Sequence, residues 1–208
     1  MSYIGHRKGA EHGPISAKTR GHEHTGDRVV SDYSITTARP ADVGSLAAIE
    51  LAAAKLLIGH APESVLNEAT DESTFRDAQA AGELWVALAD DIPVGFALVK
   101  MLAPELPHLE EIDVHPTHGK RGLGTALVHA VCDWATRSGY REVTLTTLRD
   151  VPWNMPFYSR LGFEEIRTSD LRPELVAVVR EETARGLDPE ARVVMRYRCA
   201  PVGRSPHS

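Results

Sequence analysis

The residues best suited to chemistry in this chain run from His115 to Leu127: His115-Pro116-Thr117-His118-Gly119-Lys120-Arg121-Gly122-Leu123-Gly124-Thr125-Ala126-Leu127. The run follows an expected strand, Leu109 to Val114, and opens an expected helix, Leu123 to Ser138. Glycine lets the backbone approach a ligand with no Cβ in the way. The first N–H groups of a helix lack partners inside it, and the helix dipole favours negative charge there. Lys120 and Arg121 add fixed positive charge at the same place, so the local chemistry is capture of a phosphate or pyrophosphate. Two familiar glycine loops fail on spacing. An NTPase loop needs a lysine after its second glycine, and Thr125 follows Gly124. A dinucleotide fingerprint needs a third glycine, and Leu127 stands in its place.

A third loop fits better. Gly122 and Gly124 match the second half of the [QR]-x-x-G-x-[GA] acyl-CoA loop, and here the chain resembles the GNAT superfamily of N-acetyltransferases. Val114-His115-Pro116 resembles the strand end before that loop, and Asn154-Met155-Pro156-Phe157-Tyr158-Ser159-Arg160-Leu161-Gly162-Phe163 resembles the family's FYxRLGF segment. The likeness covers about residues 35 to 198. Gly119 stands where the family usually has Gln or Arg, leaving Lys120 or Arg121 to take that contact. The Asn154 to Tyr158 spacing is shorter than in many members.

The resemblance implies acetyl-CoA as co-substrate and acetyl transfer to a primary amine by direct attack in a ternary complex. Gly119, Lys120, Arg121, Gly122, Leu123, Gly124 and Thr125 would hold the pyrophosphate. Ile112, Asp113 and Val114 would hold the pantetheine and acetyl group, Ile112 and Val114 through their backbones, and Asn154 would contact the cofactor beside Tyr158. A phenol stays protonated at neutral pH, so Tyr158 suits a general acid for the departing thiolate. Along a strand, residues 110, 112 and 114 share one face and Glu111 and Asp113 the other. Glu110 is the first choice of general base, a carboxylate raised by burial, with Glu111 next. His108 is a third, because imidazole titrates in the useful range. His60, Glu50, Trp153 and Arg149 fall on the acceptor side by resemblance, or are plain surface or structural residues. Two rival readings share the fold: transfer of a longer acyl group or to another nucleophile, and a non-catalytic CoA-binding module.

The elements that must position these groups follow from periodicity. Tyr33 to Ala38 reads as a strand, and Asp42 as the cap of a helix from Val43 to Leu57 whose apolar residues recur at helical spacing. A helix near Glu72 to Ala81 follows, then a hairpin of Glu83 to Ala89 and Val94 to Met101 around Asp90-Asp91-Ile92-Pro93. Pro104 and Pro107 break the pattern before a strand from about His108. After the long helix, whose Trp134 reads as core packing, come a strand from Glu142 to Leu148 and a short helix from Asn154 to Leu161. Phe163 to Thr168, a helix from Pro173 to Arg185, and Val193 to Arg198 complete the set. The fold class is α/β (α+β): by resemblance a mixed, mostly antiparallel central sheet flanked by helices, with splayed central strands.

At 208 residues the chain suits one domain, residues 33 to 200, with a weakly ordered arm at 1 to 32 and a frayed end at 201 to 208. Hydrophobic residues make up 42% and charged residues 25%, an ordinary balance for a globular protein. A net charge of −6 gives no electrostatic footprint for nucleic acid. Two cysteines set no disulfide framework and no run reaches 18 apolar residues, so a cytoplasmic protein without a membrane partner is expected. His6, His12, His22 and His24, or His115 and His118, lack supporting ligands, so no metal is expected. Hydrolase, zinc-protease and thiol-redox motifs are missing from the sequence. The partners expected are a small-molecule or peptide amine acceptor and, admissibly, a second copy in a homodimer.

Overall fold

Among the described residues seven segments form strands, and all seven join one sheet. A computed structural model describes residues 33–151 and 153–200. The proposed arm at 1–32 and end at 201–208 lie outside the described residues. The strands are β1 (Tyr33–Thr37), β2 (Leu84–Ala89), β3 (Ile92–Ala103), β4 (Leu106–Val114), β5 (Glu142–Leu148), β6 (Glu164–Glu165) and β7 (Arg192–Arg198). Their order is β1-β2-β3-β4-β5-β7-β6, antiparallel throughout except between β4 and β5. The helices are α1 (Leu46–Ala54), α2 (Glu63–Leu66), α3 (Glu72–Ala81), α4 (Leu123–Arg137), α5 (Met155–Arg160) and α6 (Pro173–Ala184).

Both faces of the sheet are covered. On one, α4 lays Leu123, Leu127, Val128, Val131 and Ala135 against Ala97, Val99, Leu109, Val143 and Leu145. Trp134 stacks edge-on with Trp85 at 5.2 Å, the packing role its helical stripe indicates. On the other, α1 and α3 close over Val86, Phe96 and Leu98, with Phe75 at the centre. A smaller cluster of Leu106, Ile166, Leu175 and Val194 seats α6. Among the described residues no helix is long and apolar enough to cross a membrane.

Several boundaries differ from the periodic reading. The hairpin turns at Asp90-Asp91 alone, because Ile92 and Pro93 already pair with Ala89 and Leu88. The helix expected from Val43 begins at Leu46, because Pro40–Ser45 forms a tighter 3-10 turn. Asp42, expected to cap the helix, turns back and accepts the Arg39 backbone N–H at 2.7 Å and its guanidinium. Strand β4 starts at Leu106, and Pro107 sits inside it opposite Met101, next to an irregularity in the β3·β4 register that accommodates the missing N–H. The strand expected from Phe163 to Thr168 is only the two-residue edge β6, with Glu164 ion-paired to Arg196 and Arg198 of β7.

Among the described residues the only parallel neighbours, β4 and β5, are long strands joined at just two positions. Their register holds His108 opposite Thr144 and Leu109 opposite Leu145, and no further rung follows. Strand β4 runs on to Val114 and β5 to Leu148. The two strands diverge from there, opening the sheet at its middle.

Candidate active site

Everything chemical clusters around that opening. Strand β4 carries a bulge at its middle: Val99 pairs with Leu109 and Leu98 pairs with Glu111, leaving Glu110 as the extra residue. A bulge resets the alternation of side chains. Leu109 lies in the core beneath α4, and Ile112 and Val114 pack on that same face. Glu111 and Asp113 lie opposite Leu98 and Phe96, which belong to the α1/α3 face. The expectation that residues 110, 112 and 114 share a face is therefore corrected. Glu110 sits with its charge among Lys100, Glu182, Arg185 and Glu181, and adds to the field on Glu111.

The carboxylates on this face form a cluster fed by two elements. Burial pushes the Glu111 carboxyl up to about 7, reinforced by the charges of Glu50 and Glu110, while the Ile112 N–H and Arg192 pull it back. Burial and the neighbouring Glu111 raise Asp113 well above its usual range. Glu50, on α1, is raised chiefly by burial, although it accepts hydrogen bonds from the Thr70 N–H at 2.9 Å and the Thr70 hydroxyl at 3.0 Å. Glu110 keeps much of its surface in water, and its upward shift, again from desolvation, is opposed by Lys100. A carboxylate titrating near neutrality is the arrangement a general base requires.

His108 does not share that poise. It is 1% exposed, its Nδ1 lies 2.9 Å from Thr144 Oγ1, and burial with the charges of Lys100 and Arg192 pushes it down to about 3. It stays a neutral core group, which corrects the reading of its imidazole as a titrating base.

Tyr158 faces the carboxylates from α5. The helix starts at Asn154, whose carbonyl accepts the N–H groups of Phe157 at 2.9 Å and Tyr158 at 3.1 Å. Phe157 and Phe163 hold the phenol ring edge-on at 5.0 and 5.7 Å. Burial, then Glu111 and Asp113, raise its pKa further, so it keeps its proton. Behind it Arg192 of β7 donates through Nε to Glu182 Oε2 at 3.0 Å and through Nη2 to Thr146 Oγ1 at 2.7 Å. Sequence reasoning missed this trio: its members come from a helix and two strands far apart in the chain, and no motif links them.

The glycine loop follows directly on β4. His115 Nδ1 approaches Thr117 Oγ1 at 2.7 Å, and His118 Nδ1 lies 3.1 Å from the Tyr33 hydroxyl. Among the described residues no three His, Cys, Asp or Glu side chains converge as a metal site. Lys120 and Gly122 take left-handed backbone at φ 61° and 80°. Gly122 caps α4, and the first helical bond is donated by Ala126, at 3.0 Å. The N–H groups of Leu123, Gly124 and Thr125 are thus the unsatisfied donors of a helix start. They border a cavity of about 280 Å³ lined also by Val114, His118, Gly119, Lys120, Gly122 and Phe157. Arg121 does not line it; its guanidinium sits 5.7 Å over the Tyr33 ring. A doubly charged pyrophosphate suits this donor set, with Lys120 as counter-charge.

The acceptor-side candidates separate. His60 and Trp153 meet edge-on, ring centroids 5.6 Å apart. Arg149 instead pairs with Glu165 at 2.7 Å, at the sheet edge.

Comparison with known proteins gives one family. The model described as "Acetyltransferase (GNAT) family" matches residues 52–163. A mycothiol acetyltransferase of Nocardiopsis dassonvillei is 48% identical over 119 residues, 46% of this chain and 36% of that protein. A second, from Parafrankia sp., is 35% identical over 150 residues, 70% of this chain and 44% of that one. The chain thus spans less than half the length of these curated relatives. In fold it matches the PaiA N-acetyltransferase of Thermoplasma acidophilum, solved in complex with coenzyme A, with a TM-score of 0.61 at 17% identity over 80% of this chain and 98% of that one.

Proposed function

Because the chain belongs to the GNAT acetyltransferase family, we propose that it is an N-acetyltransferase that moves the acetyl group of acetyl-CoA directly onto a primary amine. The observation that carries this reading is the opening between β4 and β5 itself, with an anion cradle at the start of α4, whose cavity wall includes Phe157, and the adjacent Tyr158 in the field of Glu111.

In this mechanism Glu111 acts as the base. It removes a proton from the bound ammonium, directly or through water, leaving a lone pair to attack the thioester carbonyl. The C–N bond forms, the C–S bond breaks, and Tyr158 gives its proton to the departing thiolate, while the attacking nitrogen loses its second proton through water, which returns one to the Tyr158 phenolate. Glu110, the other candidate, is more open to solvent and its charge is not among those acting on Tyr158, which supports Glu111 over it. The backbone of Ile112, Asp113 and Val114 lines the approach of the pantetheine arm. The helix-start N–H groups and Lys120 hold the pyrophosphate, and Asn154 supports the thiol end through the start of α5. Holding both reactants at attack distance supplies much of the acceleration in direct transfer.

The acceptor is an amine on a small molecule or peptide. Two unpaired cysteines, Cys132 and Cys199, accord with a reducing, cytoplasmic setting.

Isothermal titration with acetyl-CoA, CoA and NAD, followed by thiol release against an amine panel, tests the reading. Micromolar acetyl-CoA binding, silence with NAD and amine-dependent thiol release are expected. Acetyl-CoA binding without release by any amine would leave a CoA-binding module; faster release from longer acyl-CoAs would change the donor.

A further inference from the structure

The geometry points to His60 and Trp153 as the specificity-determining residues of the acceptor entrance, an aromatic clasp that selects primary amines carried on a planar or apolar group. The inference rests on the acetyl-transfer reading above and names the acceptor class for it.

The two rings come from opposite halves of the sheet. His60 lies in the connection between α1 and α2, and α1 packs on β3 and β4. Trp153 lies between β5 and α5, in the half formed by β5, β7 and β6. Those halves are joined within the sheet only at His108–Thr144 and Leu109–Leu145. The ring contact, 5.6 Å between centroids with planes at 89°, therefore bridges the gap that the diverging strands leave.

Core packing does not account for Trp153. The other two tryptophans, Trp85 and Trp134, stack on each other inside the apolar cluster beneath α4. Trp153 belongs to none of the apolar clusters among the described residues, and its ring partner is an exposed histidine. A half-buried indole with a surface partner is the arrangement of a binding wall.

The loop that presents His60 is held at several points. Its tight turn is closed by the His60 N–H donating to Leu57 at 2.8 Å, with Gly59 at φ 85°. Farther on, Glu68 pairs with Arg185 at 2.8 Å, and Thr70 is fastened to Glu50. Glu50 belongs to the carboxylate group of Glu111 and Asp113. The loop is thus tied to the place where the ammonium must lie, while its outer part exposes Leu56 (57%) and Ile58 (69%). An acceptor with its amine among the carboxylates extends outward past two aromatic rings and two bare aliphatic side chains. Apolar surface of that kind rewards a flat or apolar body and gives little to a polar one.

The test compares 2-phenylethylamine with n-butylamine as acceptors for wild type, Trp153→Ala, Trp153→Phe and His60→Ala, following thiol release. Trp153→Ala is expected to lower the preference for 2-phenylethylamine at least tenfold, through acceptor KM and with the KM for acetyl-CoA within twofold. Trp153→Phe should restore most of that preference, and His60→Ala should lower it several-fold. Subtracting the fluorescence of Trp153→Phe from that of wild type isolates Trp153 emission, which should respond saturably to 2-phenylethylamine but not to n-butylamine. Equal losses for both amines, or no change in preference, would overturn the clasp even with acetyl transfer intact. An emission response without thiol release from any amine would keep the clasp and remove the acetyl-transfer reading; neither signal would remove both.

Discussion

Leu109 and Leu145 form the last rung between β4 and β5, and the residue after Leu109 is the bulge that turns Glu110 and Glu111 to one face. Separation of the strands and regrouping of the carboxylates thus happen at one point in the chain. Opening admits a substrate, and the bulge sets a carboxylate at the edge of the opening. Facing it, Tyr158 is buried enough to hold its proton and feels the charges of Glu111 and Asp113.

Tyr158→Phe isolates the phenol. The ring is held by Phe157 and Phe163, so the variant keeps its packing and loses only the hydroxyl. Losing a positioned general acid costs on the order of 100-fold or more in rate. We expect kcat to fall by about that factor, with acetyl-CoA affinity by calorimetry within twofold. Unchanged turnover across pH would remove Tyr158 from the chemistry.

Glu111→Gln tests the base by two pH signatures. In the folded protein Glu111 is raised to about 7 from 4.5, so it becomes a competent base only as pH rises through about 7. Wild-type kcat/KM should climb through that range, Glu110→Gln should retain the climb, and Glu111→Gln should lose it with a roughly 100-fold slower rate. Stability moves the other way. A folded state that holds its proton more tightly than the unfolded chain is favoured below about 4.5 and loses that advantage as pH rises through about 7, by up to about 3 kcal/mol. Glu111→Gln should therefore raise the melting temperature more at pH 8 than at pH 5. A uniform shift at both would contradict a buried, titrating carboxylate.

Legibility in the sequence tracked how local each cause was. The cradle was readable because Gly122, Gly124 and the start of α4 act through adjacent backbone. The Asn154–Phe163 run was readable because it is continuous. The shared face of Glu110 and Glu111 was not readable, because strict alternation separates them and a bulge is decided by cross-strand register. His108 was misjudged because its poise depends on burial against Thr144, a contact 36 residues away. Arg121 and Arg149 were named as ligands by position; in the fold the first sits over the Tyr33 ring and the second pairs with Glu165. Charges on long side chains find partners that only the assembled fold brings near.

Glycine substitutions separate the cradle from the fold. At Gly122, φ is 80° and an added Cβ meets nothing within 4 Å, so alanine costs backbone strain alone, about 1 kcal/mol of stability. Because Gly122 orients the first N–H groups of α4, acetyl-CoA affinity should also drop several-fold. At Gly124 the Cβ would lie 3.7 Å from Phe157, an ordinary contact at the cavity wall. Gly124→Ala should weaken acetyl-CoA by a comparable factor while leaving the melting temperature nearly unchanged. Calorimetric Kd beside thermal melts checks the pair; equal thermal losses would mean that the two glycines serve the fold alike.

Arg192 and Glu182 form an ion pair in which each is only 13% exposed, and the Arg192 charge reaches the site. Removing one member of such a pair strands a buried charge, so Glu182→Ala should cost about 3 kcal/mol. Glu182→Leu with Arg192→Met removes both charges and should recover most of that loss, as read by denaturant midpoints. The pair also has a chemical consequence. Arg192 pulls the pKa values of both Glu111 and Tyr158 downward. With that charge gone, the ionised Glu111 is less favoured, so the rise of kcat/KM in the double variant should move to higher pH than in wild type. Recovery of stability with an unmoved pH profile would place the pair outside the field of the reacting groups and leave it a structural brace between α6 and β7.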